Sequence, residues 1–213
     1  MFLQRIRVRF AKLGDVTAIS HLDLMRAFER ALRRTGLPLR MSQGFNPHPK
    51  LSFPAALGVG IESLDEVMEF DLADWTPKED VERRLREQLP QGIELRDVQV
   101  GDPNQVAQAR EASFLIEASP EIQKDPGWGR EAVEALMART DIPVERKRKG
   151  KMKTVNIRPL ILAVECEGGA LTARFRAGNA GSVHPEELLT ALGFGMPDRR
   201  SEFRIVRTQV VLE

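Results

Sequence analysis

The chain is poor in cysteine and histidine. Cys166 is its one cysteine among 213 residues, which excludes an internal disulfide framework and any cysteine-built zinc or iron–sulfur site. A reducing cytoplasm is the expected compartment. No run approaches the ~20 apolar residues of a membrane-spanning helix, and the opening Met1-Phe2-Leu3-Gln4-Arg5 lacks the apolar core of a signal peptide, so no membrane partner is expected. Phosphate-loop, dinucleotide-glycine and Cys/His zinc spacings are all missing. No metal ligand and no cofactor is therefore expected. Charge of one sign is not in excess either: 32 Lys and Arg face 31 Asp and Glu, a formal charge of +1.

What is present is a folded composition, 42% hydrophobic and 30% charged, with its charges sorted along the chain. Residues 1–50 carry ten basic groups against three acids, residues 51–104 five against thirteen, and residues 146–158 seven basic groups and no acid. A near-neutral chain with two basic islands can hold a polyanion through those islands.

Periodicity supplies the elements. Residues 5–10, Arg-Ile-Arg-Val-Arg-Phe, alternate strictly and read as a strand with one wet, basic face. Ser20 offers a helix N-cap, with Asp23 three residues on as its capping partner. Leu22, Met25, Phe28 and Leu32 then fall on one side of a helix turning about 100° per residue, which Gly36 and Pro38 stop. Short strands are expected over 37–41 and 51–60, strands over 66–72 and 93–100, and a helix over 77–89 between Pro77 and Pro90. The second half repeats this order: strand 112–118, helix 129–139, a hairpin of 142–148 with 153–165, strand 170–176, helix 184–192 opening at a structural His184, and strand 203–212. The fold class is α+β, two tandem ferredoxin-like βαββαβ domains with antiparallel sheets. The break is expected at Gly101-Asp102-Pro103-Asn104, giving domains 1–103 and 104–213.

Three features carry chemistry. On the first helix Arg26, Arg30, Arg33 and Arg34 form a cationic stripe ~12 Å long, suited to forked contacts with phosphate or, equally, to an ordinary solvated face. The loop Ser42-Gln43-Gly44-Phe45-Asn46-Pro47-His48-Pro49-Lys50 is stiffened by two prolines and projects Gln43, Asn46, His48 and Lys50. Phe45 and Phe53 are expected to anchor it in the core, with base stacking the alternative. The segment Arg146-Lys147-Arg148-Lys149-Gly150-Lys151-Met152-Lys153 reads as a hairpin tip that, with Arg158, neutralises several phosphates in a salt-dependent way. His21 and His48 are candidate catalytic groups, an acid and a base, should the loop fold back over the helix start.

The motifs Ile19-Ser20-His21-Leu22-Asp23-Leu24-Met25-Arg26 and Ser42-Gln43-Gly44-Phe45-Asn46-Pro47-His48-Pro49, with Val155-Asn156-Ile157-Arg158-Pro159, resemble the radical-SAM-linked bacterial domain of unknown function. That domain is also found fused behind cobalamin-binding radical SAM proteins. The resemblance implies a radical SAM protein as partner and, through neighbouring genes for ribonuclease and ribosomal proteins, a role in RNA metabolism. The missing CxxxCxxC cluster motif marks a stand-alone form. The expected tandem fold is also similar to RAMP-type CRISPR repeat-RNA endonucleases, although their C-terminal glycine-rich loop is absent. Three functions follow as expectations. One is an RNA-binding accessory protein presenting tRNA or rRNA to a radical SAM enzyme. The second is a metal-independent endoribonuclease using His21 and His48. The third is a docking subunit without RNA contact, its interface the acidic 62–82 region.

Overall fold

A computed structural model describes residues 3–148, 150–178, 181–195 and 199–213, without the side chains of Arg148 and Arg200. The chain forms two compact units, one comprising residues up to Ala109 with Leu212–Glu213, the other Arg110–Val211.

In the first unit β1 (Gln4–Lys12) leads through a 3-10 turn at Gly14–Ala18 into α1 (His21–Arg34). There follow β2 (Leu51–Ser52), β3 (Glu62–Leu72), α2 (Lys78–Arg86) and β4 (Ile93–Gly101). The strand order is β4-β1-β3-β2, and every pairing is antiparallel. Helical crossovers linking strands in this order make a ferredoxin-like unit. Alternation along β1 sends Ile6, Val8 and Phe10 into the core, where they meet Leu24, Phe28, Ala31 and Leu32 of α1 and Val81 and Leu85 of α2.

Two expectations need correction. The buried stripe of α1 runs through Leu24, not Leu22, which is 63% exposed. Leu24 lies one turn before Phe28, whereas Leu22, six residues away, is rotated about 240° from it. Nor is the arginine face of β1 wet and basic. Its register on β3 sets Arg5 opposite Asp71 and Arg7 opposite Glu69. Ion pairs follow at 2.9 Å for Arg5–Asp71, 2.8 Å for Arg7–Glu69 and 2.6 Å for Arg9–Asp65. Three of the ten basic groups of the first fifty residues are thus paired with three acids of β3 across one strand pair.

The ends of the predicted strands also shift. Over 37–41 and 51–60 the chain makes single bridges, Leu39 with Leu72 and Met41 with Pro49, besides the two-residue β2. Past Gly101 the chain remains attached to the first unit as far as Ala109: Arg5 donates to the Gln105 carbonyl at 2.6 Å, and the Ala107 amide donates to Glu69 at 2.9 Å.

The second unit contains β5 (Ala109–Ala118), α3 (Pro120–Gln123), α4 (Arg130–Met137), β6 (Pro143–Arg148), β7 (Lys151–Asn156), β8 (Ile161–Glu167), β9 (Ala170–Arg176), α5 (Pro185–Ala191) and β10 (Phe203–Leu212). Its sheet order, β10-β5-β9-β8, repeats that of the first unit, and β6 and β7 form a separate two-stranded sheet. The strand expected over 153–165 breaks in a 3-10 turn at Arg158–Leu160. Pro159 has no amide to donate, and the Arg158 guanidinium gathers the carbonyls of Met137, Arg139 and Ile161 at 3.0–3.2 Å. Trp128 packs against Phe194 and Phe203 in the core of this unit. No described helix is long and apolar enough to cross a membrane.

Removing one partner of a buried, hydrogen-bonded ion pair leaves an uncompensated charge. Asp71→Ala is expected to cost about 3–5 kcal/mol, read from the urea unfolding midpoint. The double replacement Arg5→Met with Asp71→Leu is expected to cost clearly less.

Candidate nucleic-acid interface

The site begins at the start of α1. Lys12, 1% exposed, reaches the carbonyls of Thr17 and Ile19 at 3.4 and 3.3 Å, tying down the turn that delivers Ser20. Ser20 Oγ accepts from the Asp23 amide at 3.2 Å and donates to Asp23 Oδ2 at 2.7 Å. That hydroxyl, with Arg26 beside it, holds the Asp23 carboxyl below its ordinary range against the opposing effect of desolvation. His21 stands edge-on to Phe53, ring centroids 5.3 Å apart. Phe53 in turn packs on Phe10 and Phe28 at 6.5 and 5.9 Å. His21 is thereby the outermost ring of the aromatic core.

Loop 42–50 is closed at its base. The Ser42 amide donates to the His48 carbonyl at 2.7 Å, and the His48 amide donates to Ser42 Oγ at 3.0 Å. His48 Nδ1 lies 2.9 Å from Ser42 Oγ and 3.3 Å from the Asn46 carbonyl, so Nε2 is the ring nitrogen not used within the loop. Gly44 adopts φ 132°, which a side chain would resist. Arg33 fastens the loop to α1 by donating to the Pro47 carbonyl at 2.7 Å. His48 is therefore tied to α1 through a residue twelve positions beyond His21, about 18 Å along the helix axis. His21 packs on Phe53, and His48 is hydrogen-bonded to Ser42.

Phe45 was expected in the core and is instead completely exposed, at 106%. The closed base puts it at the apex of the loop, with no path inward; Phe53, outside the closed loop, is the anchor. Gln43 and Asn46 flank Phe45 with exposed side chains. A cleft of about 630 Å³ opens at the base of the loop, lined by Leu39, Arg40, Met41, Ser42, Gln43 and Lys50, among others. A second, of about 330 Å³, shares Arg40 and Lys50 with it. Arg40 is partly compensated by Asp71 at 3.6 Å. The sequence pattern did not single out Arg40; it joins the site only because Leu39 bridges to Leu72.

The arginines of α1 divide by use. Arg26 pairs with Asp23 at 3.2 Å on the surface, where such pairs contribute little. Arg34 holds Gln88 at 2.8 and 3.1 Å. Arg30 is exposed, with no hydrogen bond or ion pair to another described residue.

The hairpin divides in the same way. Arg146 forks onto Glu187 at 2.6 and 2.7 Å and donates to the Ser182 carbonyl at 2.6 Å, while Arg158 is occupied by carbonyls. Both serve the scaffold. Lys147, Lys151 and Lys153 are exposed. Lys147 pairs in register with Met152, and Lys153 lies opposite Arg146. Gly150 turns the tip at φ 79°. Lys149 and the Arg148 side chain lie outside the described residues. Among the described residues no cluster of three His, Cys, Asp or Glu side chains could hold a metal ion.

The sequence matches, over residues 5–185, the family described as an uncharacterised protein conserved in bacteria, DUF2344. The chain belongs to the DUF2344 family. The matched span contains α1, loop 42–50 and the basic hairpin, so the features just described lie in the DUF2344 region. No curated protein matches the chain. Among solved structures, a chain from the crystal structure of a Cbf5-Nop10-Gar1 complex is similar at 10% identity and TM-score 0.42, over 96% of this chain and 48% of that one. The DUF2344 chain thus spans about half the length of that relative. A crystal structure of an unknown protein from Galdieria sulphuraria is similar at 15% identity and TM-score 0.30, over 99% of both chains.

Burial pushes the Glu187 carboxyl up, but the Arg146 guanidinium and the His184 amide together outweigh it and hold the group below its ordinary range. A carboxyl whose folded value is depressed stabilises the fold above its unfolded value and loses that contribution as pH falls through the folded one. The Arg146 clamp on the hairpin is thus expected to hold at neutral pH and to release only as the pH falls below the ordinary glutamate range, seen as a step in the β6–β7 amide shifts on acid titration by NMR. Glu187→Gln is expected to abolish the step.

Proposed function

We propose that the protein binds structured RNA, tRNA or rRNA, as an accessory that presents it to a radical SAM modification enzyme. The carrying observation is the hairpin tip. The arginines of β1 are neutralised by Asp71, Glu69 and Asp65, whereas Lys147, Lys151 and Lys153 are exposed in a segment, 146–158, that contains no acid. Clustered like charges repel one another unless a partner compensates them, and a phosphate backbone is such a partner. Arg26, Arg30 and Arg33 offer a second cationic strip on α1, and Gln43, Asn46, His48 and Lys50 stand beside it on loop 42–50. The radical SAM partner rests on the resemblance carried by the two long motifs.

Cleavage would require His21 and His48 to reach one phosphate from both sides; His21 packs on Phe53 and His48 hydrogen-bonds to Ser42. Of the acids expected to form a docking face, Asp65, Glu69 and Asp71 are paired with arginines of β1, which leaves less free acid there for a protein partner.

The triple replacement Lys147→Ala, Lys151→Ala and Lys153→Ala is expected to weaken binding to all RNAs alike. The slope of log affinity against log salt should fall by about two to three, since each phosphate contact contributes roughly 0.7–0.9. Fluorescence anisotropy across a salt series checks this. Unchanged affinity and slope would remove the hairpin from any RNA contact. Co-purification of a radical SAM protein that survives ribonuclease treatment tests the partner separately.

A further inference from the structure

We propose that loop 42–50 and the cleft at its base form a binding site for an unpaired nucleotide, the base stacking on Phe45 and its phosphate lying between Arg40 and Lys50. The inference rests on the RNA reading above and specifies the class of RNA: a single-stranded loop, bulge or end, not a continuous duplex.

Phe45 is the first argument. A phenylalanine ring fully in water loses the burial that such a side chain ordinarily supplies. Here it is carried on a loop whose ends are pinned by Ser42 and His48 and whose flank is fixed by Arg33. Stacking a base on it therefore orders little additional backbone. Both ring faces are open, and every base has a π-face to offer. Gln43 and Asn46 stand on either side, exposed and without side-chain hydrogen bonds to described residues. Each carries both a donor and an acceptor, the complement required by a base edge.

The cleft is the second argument. Its volume of about 630 Å³ lies within the range of small-molecule sites. Gln43, two residues before Phe45, lines it. Lys50 at its rim is exposed, with no ion pair among the described residues, and Arg40 keeps part of its charge beyond Asp71. Both clefts share Arg40 and Lys50; Glu69 and Asp71 also line the second, but Arg7 and Arg5 pair with them, which leaves Lys50 and part of the Arg40 charge for an anion. An apolar protein segment would satisfy Phe45 but would desolvate these charges without return. A paired base in an A-form helix has its faces covered by its neighbours, so it cannot stack on Phe45 without leaving the helix.

The full-length chain, with Phe45→Ala, Phe45→Trp and Lys50→Ala variants, is titrated by fluorescence anisotropy. The probes are a labelled single-stranded oligouridine of about 12 nucleotides and a fully paired RNA duplex of equal length. Phe45→Ala is expected to weaken the single-stranded probe about 10-fold, the usual scale for one stacked base, and to leave the duplex unchanged. Phe45→Trp should retain affinity, and its indole fluorescence should be quenched by the oligouridine. Lys50→Ala should reduce the salt slope for the single strand by about 0.7. Phe45 touches nothing in the core, so an unchanged melting curve shows that the alanine variant is folded. Equal binding of the single strand by wild type and Phe45→Ala overturns the inference while leaving the RNA reading intact. A parallel fall for both probes does the same. Failure of the wild type to bind either probe overturns both. Loss in Phe45→Ala of a ribonuclease-resistant protein association, with RNA affinity unchanged, overturns the inference and assigns Phe45 to a protein partner.

Discussion

The antiparallel register of β1 on β3 decides where the charge of the first unit goes. Three arginines alternate along β1, and the pleat sends all of them to the face away from α1 and α2. On that face β3 presents Asp65, Glu69 and Asp71 within ion-pair distance. Asp71 is shared between Arg5 and Arg40, and Glu69 between Arg7 and the Ala107 amide. A slip of β3 by one residue would turn Asp65, Glu69 and Asp71 toward the apolar core. The ladder therefore specifies the register, holds the 102–108 segment against the first unit and orients Arg40 at the cleft. Its worth as a specifier exceeds its worth as a source of stability, because desolvation offsets much of the attraction between buried charges.

A second constraint joins that core to the outer surface. Phe10, Phe28, Phe53 and His21 form a chain of edge-to-face rings running outward from β1 through α1. Phe53 anchors the segment that follows loop 42–50, and Arg33 anchors the loop itself from the other side. The loop is thus fixed at two points and free at its apex. Such a mounting presents Gln43, Phe45 and Asn46 in a defined arrangement at low entropic cost to whatever they contact.

In the second unit the basic hairpin uses some of its charge for its own attachment. Arg146 is clamped by Glu187 at the start of α5, and Arg158 collects the carbonyls left unpaired past the end of α4. Lys147, Lys151 and Lys153 are exposed, on a two-stranded sheet separate from the main one. A count of positive charges treats all of these side chains alike. The structure separates those that hold the hairpin from those able to meet a partner.

The sequence by itself determined what local physics controls. The Ser20 cap, the alternation of β1, the glycine and proline stops and the βαββαβ order repeated in both halves could be read because each depends on residues a few positions apart. The loop motif was legible as a rigid projection for the same reason. The tertiary structure decided the rest. Arg5 meets Asp71 across 66 residues and Arg7 meets Glu69 across 62, distances over which no local pattern shows that a basic face will be neutralised. Leu22 and Leu24 are equally apolar, and their helix's packing chose between them. Phe45 and Phe53 are the same residue type on one segment, and the closing contacts of Ser42 with His48 put one in water and the other against the core. Side-chain type and periodicity are properties of the chain, but whether a charge is free or a ring is buried depends on partners that only folding brings together.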